Sequence, residues 1–221
     1  INKKSFRRDF GKINMSKIKG VSLFSSSGIA EAYYDNINID IVTANELLEK
    51  RAKLYQHLYP ETNMICGSVQ DEEIKSQILS SIDKDVKLLI ATPPCQGLST
   101  LGKNKKQEDF EKDQRNFLIF DVFDIIDRSN FDYILIENVP RFLNMYFPFN
   151  EEILLLEDII RIKYESKYQI EVDVLNACNY GVPQSRPRAI IRIYKKSLQW
   201  NLPEKESTIN LEKAIGHLPS L

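Results

Sequence analysis

The sequence lacks the features that mark disulfide-bonded, secreted and membrane proteins. Its 3 cysteines are too few and too scattered for a disulfide framework, and none belongs to a C-x-x-C pair. No apolar run approaches the roughly eighteen residues of a membrane span. No hydrophobic region follows the basic N-terminus, as it would in a secretion signal. We therefore predict a cytoplasmic protein with no membrane association and no metal site.

An excess of charge of one sign is also absent. The 30 Lys and Arg residues are balanced by 31 Asp and Glu residues, which leaves a formal net charge of -1. Any nucleic-acid partner would therefore have to bind a local surface. Residues 1–19 are basic, with seven Lys and Arg against Asp9, and we interpret them as a solvated arm rather than a nucleic-acid clamp.

From Val21 onward, short β-branched apolar runs alternate with longer stretches of helical periodicity. This alternation is typical of an α/β fold in which helices cover a doubly wound, mostly parallel sheet. We predict one such domain over residues 20–195, followed by a C-terminal segment over 196–221. The predicted strands are Val21–Phe24, Ile39–Ala44, Met64–Cys66, Lys87–Ala91, Tyr133–Glu137, Tyr168–Leu175 and Ala189–Tyr194. The predicted helices are Ile29–Asn36, Leu47–Leu58, Glu72–Ile82, Asn116–Arg128 and Glu151–Tyr164.

The first motif with distinctive chemistry is Pro93-Pro94-Cys95-Gln96, which follows the predicted strand that ends at Ala91. The two prolines stiffen the chain and direct the Cys95 thiol toward the carboxyl edge of the sheet, where open α/β sheets bind ligands. A cysteine at that edge can act as a nucleophile. The alternative is that Cys95 is a small apolar side chain of the core, which is the commonest role of a free cysteine.

The second motif, Glu137-Asn138-Val139-Pro140, ends an apolar strand abruptly with a carboxylate and an amide. A glutamate at the end of a buried strand is costly unless another group pairs with it. It could therefore belong to a functional site. The alternative is a carboxylate that caps or forms a salt bridge with a neighbouring loop.

The third motif runs from Gln184 to Arg188 and opens another apolar strand. Arg186 and Arg188 are two residues apart, so in an extended chain they point to the same face. Two guanidinium groups there could hold a phosphate, a carboxylate or the edge of a base. The alternative is a pair of surface arginines with no specific role.

Together and in this order, the three motifs resemble those of the cytosine-5 DNA methyltransferase family, namely a Pro-Cys-Gln loop, Glu-Asn-Val and Gln-x-Arg-x-Arg. The resemblance extends from about Leu23 to Tyr194, which is nearly the whole chain. It implies a Rossmann-like methyltransferase fold, S-adenosyl-L-methionine as the cofactor and duplex DNA as the substrate. It also implies that residues 20–195 form the catalytic domain.

The resemblance assigns catalytic roles to five residues. Cys95 would attack C6 of a flipped-out cytosine and so activate C5 for methyl transfer. Glu137 would bond N3 and the exocyclic amine of the base, and Asn138 would help to shape that side of the pocket. Arg188 would contact O2 of the base, while Arg186 would support the nucleophile loop and a nearby phosphate.

The resemblance also predicts the binding residues. The loop from Phe24 to Gly28, here called the first loop, follows the first strand, and its backbone would approach the methionine part of the cofactor. Glu46 would bond the ribose hydroxyls. The predicted cofactor-binding residues are Phe24, Ser25, Ser26, Gly28, Ile29, Glu46, Leu47, Ser68, Val69, Pro94 and Leu118. The predicted nucleic-acid contacts are Gln96, Ser99 and Gln184.

Two segments depart from the family pattern. The family's first loop reads Phe-Ser-Gly-x-Gly-Gly, but here Ser26 replaces the first glycine and Ile29 the last. A serine at that position is strained if the backbone requires a positive φ. The third strand is followed by Gly67-Ser68 where the family has Gly-Asp, so Ser68 brings no charge to the adenine amine. Asp71 could replace that acid only if the loop bends.

The family continues beyond the strand that corresponds to the one ending at Tyr194, into a target-recognition domain and two further motifs that we do not find here. We therefore expect the chain to act as one subunit or fragment of a DNA methyltransferase of a restriction-modification system. Its partners would be double-stranded DNA and either a second chain or a missing C-terminal region that supplies target recognition.

Two alternatives remain open. One branch of the family methylates tRNA with the same motifs, and nothing in residues 95–188 identifies the polymer that carries the cytosine. The chain could also be a non-catalytic, methyltransferase-like binding subunit. The altered Ser26 and Ser68 favour that alternative, whereas the retained Cys95 and Glu137 argue against it. A dehydrogenase is disfavoured because no G-x-G-x-x-G follows the first strand.

Overall fold

The computed structural model describes residues 16–94 and 114–218. Apolar, β-branched runs form the strands of this part of the chain, and several are buried on both faces, as in other parallel sheets. The strands are β1 (Ile18–Leu23), β2 (Ile39–Glu46), β3 (Asn63–Cys66), β4 (Val86–Ala91), β5 (Tyr133–Asn138), β6 (Tyr146–Phe149), β7 (Glu152–Leu155), β8 (Tyr168–Asn176) and β9 (Pro187–Lys195).

Seven of these strands form one sheet in the order β3-β2-β1-β4-β5-β9-β8. The first five are parallel to one another, and β9 runs antiparallel to both β5 and β8. The predicted α/β class and all seven predicted strands are confirmed. Because strand order reverses between β1 and β4, a crevice opens at the carboxyl ends of these strands.

The helices cover both faces of the sheet. They are α1 (Glu49–Leu58), α2 (Glu72–Ser80), α3 (Leu118–Asp127), α4 (Leu156–Tyr164) and α5 (Leu211–Ile215). On one face, α2, α3 and α4 bury the larger apolar cluster, which includes Phe123 and Ile159. On the other face, α1 covers a smaller cluster around Tyr55, Leu88 and Ile90. Among the described residues, no helix combines the length and the apolar character needed to cross a membrane.

The prediction of a helix over Ile29–Asn36 is wrong. The backbone N–H groups of Gly28, Glu31, Ala32 and Tyr34 each bond to the carbonyl three residues earlier, so the segment forms turns and ends in a 3-10 helix at Tyr34–Ile37. Tertiary contacts hold it in this form, because the Tyr55 hydroxyl donates to the buried Glu31 carboxylate and the Tyr59 hydroxyl donates to the Gly28 carbonyl. These contacts outweigh the helical periodicity.

The helix predicted over Glu151–Tyr164 begins late, because residues 152–155 form β7 of a hairpin that was not predicted. The two residues of the hairpin loop, Asn150 and Glu151, have φ angles of 51° and 66°. This conformation matches the twist of the flanking strands. A glycine would normally signal such a turn, and its absence here hid the hairpin from sequence reasoning.

Candidate active site

A cavity of about 360 Å³ lies at the carboxyl edge of the sheet, at the ends of β1, β2, β3 and β4. Seven predicted cofactor residues line it: Phe24, Glu46, Leu47, Ser68, Val69, Pro94 and Leu118. The remaining lining residues were not predicted: Asn45, Leu48, Arg51, Gly67, Gln70, Thr92 and Arg115. Most of these lie within a few residues of a strand end, and that position is the signal that could have identified them.

The other four predicted cofactor residues are not among the side chains that line the cavity. Ser25 is buried, and both its backbone N–H and its hydroxyl donate to the Asn45 carbonyl. Ile29 is 81% exposed and is not among the residues that line the cavity. Gly28 has a φ of 72°, and a Cβ there would lie 2.3 Å from the Tyr59 ring. These residues therefore shape the first loop.

Ser26 has the positive φ, 52°, that the sequence analysis treated as a source of strain. Its backbone N–H donates to Glu46 Oε2 at 2.9 Å. The other oxygen of the same carboxylate, Oε1, accepts from the Leu48 N–H at 2.8 Å. Glu46 is therefore a positioning group for the loop, and its two oxygens retain lone pairs that could accept ribose hydroxyls.

The turn after β3 is held in a similar way. The Asn45 side-chain amide donates to the carbonyls of Ile65 and Gly67, both at 3.0 Å. The Asp71 carboxylate accepts the Glu73 N–H at 2.8 Å and so caps α2. Asp71 is thus engaged at the helix start, and it is not among the residues that line the cavity.

The ends of β5 and β9 bring two predicted catalytic side chains together. These strands are antiparallel, so the end of β5 lies beside the start of β9, with Asn138 opposite Ala189. Glu137 Oε1 and Arg188 Nε are 2.8 Å apart, and the two side chains are 30% and 23% exposed. A partly exposed, charge-assisted pair of this kind is preorganised and can still bind a polar ligand.

Asn138 connects this pair to the segment before Cys95. Its side-chain Nδ2 donates to the Pro93 carbonyl at 3.0 Å, while its Oδ1 accepts the Val139 N–H at 2.8 Å. The Thr92 hydroxyl in turn donates to the Phe24 carbonyl at 3.2 Å. The buried Asn138 amide therefore positions the segment that precedes Cys95 in the sequence.

Arg186 precedes β9 and is exposed, and its backbone N–H donates to Asn176 Oδ1 at 2.8 Å. Gln184 is also exposed, in the turn that follows Gly181. Cys95, Gln96 and Ser99 lie outside the described residues.

A group of tyrosines lies behind the first loop. Burial raises the pKa of the Glu31 carboxyl, although hydrogen bonds from Ser22 and Tyr55 lower it in part. Burial, together with the nearby carboxylates of Glu31 and Glu137, raises the pKa of Tyr34 to about 12. The Tyr34 hydroxyl is therefore neutral at physiological pH.

Within the described residues, no three His, Cys, Asp or Glu side chains are grouped so that they could hold a metal ion.

The family model for C-5 cytosine-specific DNA methylases matches residues 18–220. The chain belongs to this family. As a member of the C-5 cytosine-specific DNA methylases, it has a Rossmann-like sheet whose last two positions are antiparallel to their neighbours.

The sequence is similar to those of named methyltransferases over most of its length. It is 44% identical to the Type II methyltransferase M1.HgaI of Avibacterium volantium, over 92% of this chain and 57% of the relative. It is 26% identical to M.XorII of Xanthomonas oryzae, over 93% of this chain and 47% of the relative. The chain thus spans about half the length of these two relatives.

Solved structures show the same fold. DNMT2 of Spodoptera frugiperda superposes with a TM-score of 0.61 at 23% identity, over 88% of this chain and 55% of that protein. The Entamoeba histolytica methyltransferase EhMeth also gives a TM-score of 0.61, at 19% identity, over 88% of this chain and 58% of that protein.

Proposed function

We propose that the chain transfers a methyl group from S-adenosyl-L-methionine to C5 of cytosine in duplex DNA, with Cys95 as the nucleophile. The observation that carries the proposal is the 3.0 Å hydrogen bond from Asn138 Nδ2 to the Pro93 carbonyl. It joins the segment that leads to Cys95 to the strand end that carries Glu137, beside the cavity. The family membership supports the same chemistry.

Carbon 5 of cytosine is a weak nucleophile because the ring is aromatic. In the proposed reaction the Cys95 thiolate forms a C–S bond to C6, which ends the aromaticity and loads electron density onto C5. C5 would then take the methyl group, whose bond to the sulfonium sulfur of S-adenosyl-L-methionine would break and leave a neutral thioether. A water molecule accepts the C5 proton, the C–S bond breaks, and the thiolate and the aromatic ring are regenerated.

Glu137 and Arg188 hold the base in this scheme. The 2.8 Å contact between them fixes both side chains at the end of β5. Glu137 bonds the N3 and amine side of the ring, where negative charge must be relieved as the thiolate adds. Arg188 donates to O2. Asn138 acts through the Pro93 carbonyl and is a positioning residue.

The cavity residues fit S-adenosyl-L-methionine, which would supply the methyl group from its sulfonium. Glu46 is the carboxylate among the lining residues, and it offers acceptors for a ribose diol. The apolar side chains of Leu47, Val69 and Leu118 would contact the uncharged parts of the cofactor. Backbone groups of the first loop would approach its methionine part.

The DNA partner is argued from the relatives, which are named Type II methyltransferases. We propose that the chain modifies DNA in a restriction-modification system. The target base must leave the helical stack at a cost of a few kcal/mol, and Gln96, Ser99 and Gln184 are the proposed nucleotide contacts. A second chain, or a region outside these residues, would supply target recognition.

The test is methyl transfer from radiolabelled S-adenosyl-L-methionine to mixed-sequence duplex DNA and, separately, to total tRNA. It is run with the chain alone and with the region or protein that supplies target recognition. We expect label in DNA, a covalent complex with DNA that contains 5-fluorocytosine, and loss of both in Cys95→Ala. Label confined to tRNA, or trapping that persists in Cys95→Ala, would contradict the proposal.

A further inference from the structure

The turn after β3 carries a polar side chain at the cavity, Gln70, to which the sequence motifs assigned no role. We propose that the side-chain amide of Gln70 recognises the adenine base of the cofactor. The resemblance gave that role to the position of Ser68. This inference rests on the proposed function, since it takes S-adenosyl-L-methionine as the ligand.

The order of the strands determines which end of the cavity receives the base. The methyl group must face Glu137 and Arg188, which lie at the end of β5. In the order β3-β2-β1-β4-β5, β3 and β5 lie at opposite ends of the parallel part of the sheet. Glu46, at the end of β2, lies between them and suits the ribose. The base therefore lies against the turn after β3.

Three other polar side chains near this turn bond backbone groups. The Ser68 hydroxyl oxygen accepts the Gln70 N–H at 3.2 Å, within a turn closed by the Asp71 N–H on the Ser68 carbonyl at 3.0 Å. The Asp71 carboxylate caps α2. The Asn45 amide donates to two backbone carbonyls. Gln70 is exposed and lines the cavity.

The chemistry of a primary amide suits this base. Adenine presents a donor, its amine, beside a ring-nitrogen acceptor, and a glutamine amide presents the matching acceptor and donor. Leu47, which is 61% exposed at the cavity, supplies an apolar surface for the ring. An amide can also rotate and pair with hypoxanthine, whose donor and acceptor are exchanged. A carboxylate accepts only, so in the place of the amide it forms one bond instead of two with either base and faces the remaining acceptor.

The test is calorimetric binding of S-adenosyl-L-homocysteine and S-inosyl-L-homocysteine to the wild-type chain and to Gln70→Ala and Gln70→Glu. We expect Gln70→Ala to weaken binding of the adenosyl ligand about tenfold, by the loss of one to two hydrogen bonds. Gln70→Glu keeps the size of the side chain but loses its donor, so it should weaken binding of both ligands by similar factors, about three- to tenfold. Gln77→Ala, an exposed change on α2 outside the cavity, is the control.

Ser68→Asp in the Gln70→Ala background should recover most of the adenosyl affinity, because it returns an acceptor to the same turn. Wild-type affinity in Gln70→Ala, or wild-type affinity for both ligands in Gln70→Glu, would overturn the assignment of Gln70 alone. Failure of the wild-type chain to bind S-adenosyl-L-homocysteine would instead overturn the cofactor assignment, and with it the proposed function.

Discussion

The two halves of the carboxyl edge hold their functional groups in different ways. In the half formed by β1, β2 and β3, the Glu46 carboxylate accepts two backbone N–H groups and so secures the shape of a loop. In the half formed by β4, β5 and β9, the Glu137 carboxylate bonds another side chain, Arg188. The carboxylate of the first half stabilises backbone conformations, and the carboxylate of the second fixes a charged side chain.

This difference explains where the chain departs from the family pattern. The altered positions Ser26 and Ser68 both lie in the first half, whereas Glu137 and Arg188 of the second half match the motifs, as does Cys95, which follows β4 in the sequence. A backbone conformation can be secured by a substitute hydrogen bond, as the Ser26 N–H shows. The proposed roles of Cys95, Glu137 and Arg188 depend on the side chains themselves, so a backbone hydrogen bond elsewhere could not replace them.

The largest effect is expected from Glu137→Gln, which removes the carboxylate of the second half and leaves the first half unchanged. An amide cannot relieve charge at N3 as a carboxyl group can, so we expect kcat to fall about a thousandfold. Binding of S-adenosyl-L-homocysteine and the melting temperature should stay close to wild type. Transfer rates and calorimetry measure the two quantities, with Glu165→Gln, an exposed change after α4, as the control. A mild loss of rate would make Glu137 structural.

A smaller loss is expected from Asn138→Asp, because a carboxylate cannot donate to the Pro93 carbonyl. Misplacing the segment before Cys95 should lower kcat and the rate of covalent trapping by about ten- to a hundredfold. Affinity for S-adenosyl-L-homocysteine should change less than twofold, since Asn138 does not line the cavity. Equal losses of affinity and rate would show that the two halves are not independent.

Glu46→Ala removes the carboxylate that holds the backbone in the first half of the edge. It leaves the N–H groups of Ser26 and Leu48 without their acceptor. We expect the free energy of unfolding to fall by about 1–3 kcal/mol. Cofactor affinity should fall further than it does in Glu46→Gln, whose oxygen still accepts. Chemical denaturation and calorimetry test both expectations, and an unchanged unfolding free energy would contradict the positioning role of Glu46.

The smallest effect is expected from Ser26→Gly, which relieves the positive φ of 52°. The gain is offset in part by the greater freedom of glycine in the unfolded chain, so we expect stabilisation of no more than about 1 kcal/mol. Ser27→Gly is the matched control. Ser27 has no positive φ, so this change should destabilise the protein by about 0.5 kcal/mol. Thermal unfolding of the two variants should therefore shift in opposite directions.

Sequence reasoning identified the seven strands of the large sheet because each is a short apolar run whose burial is encoded locally, as in the segment Val86–Ala91. It was wrong about Ile29–Asn36, where contacts from Tyr55 and Tyr59 on α1 override the local pattern. It also missed Gln70, because a cavity-lining position in a turn has no periodicity of its own.

The sequence by itself determined the α/β class and the chemical groups that stand at the strand ends, because both depend on residue type and short-range order. The tertiary structure alone decided that Glu137 bonds Arg188, that Asn138 holds the Pro93 carbonyl and that Glu46 supports the first loop. These pairings join segments far apart in the chain. They form because the order of strands in the sheet brings those segments to one edge.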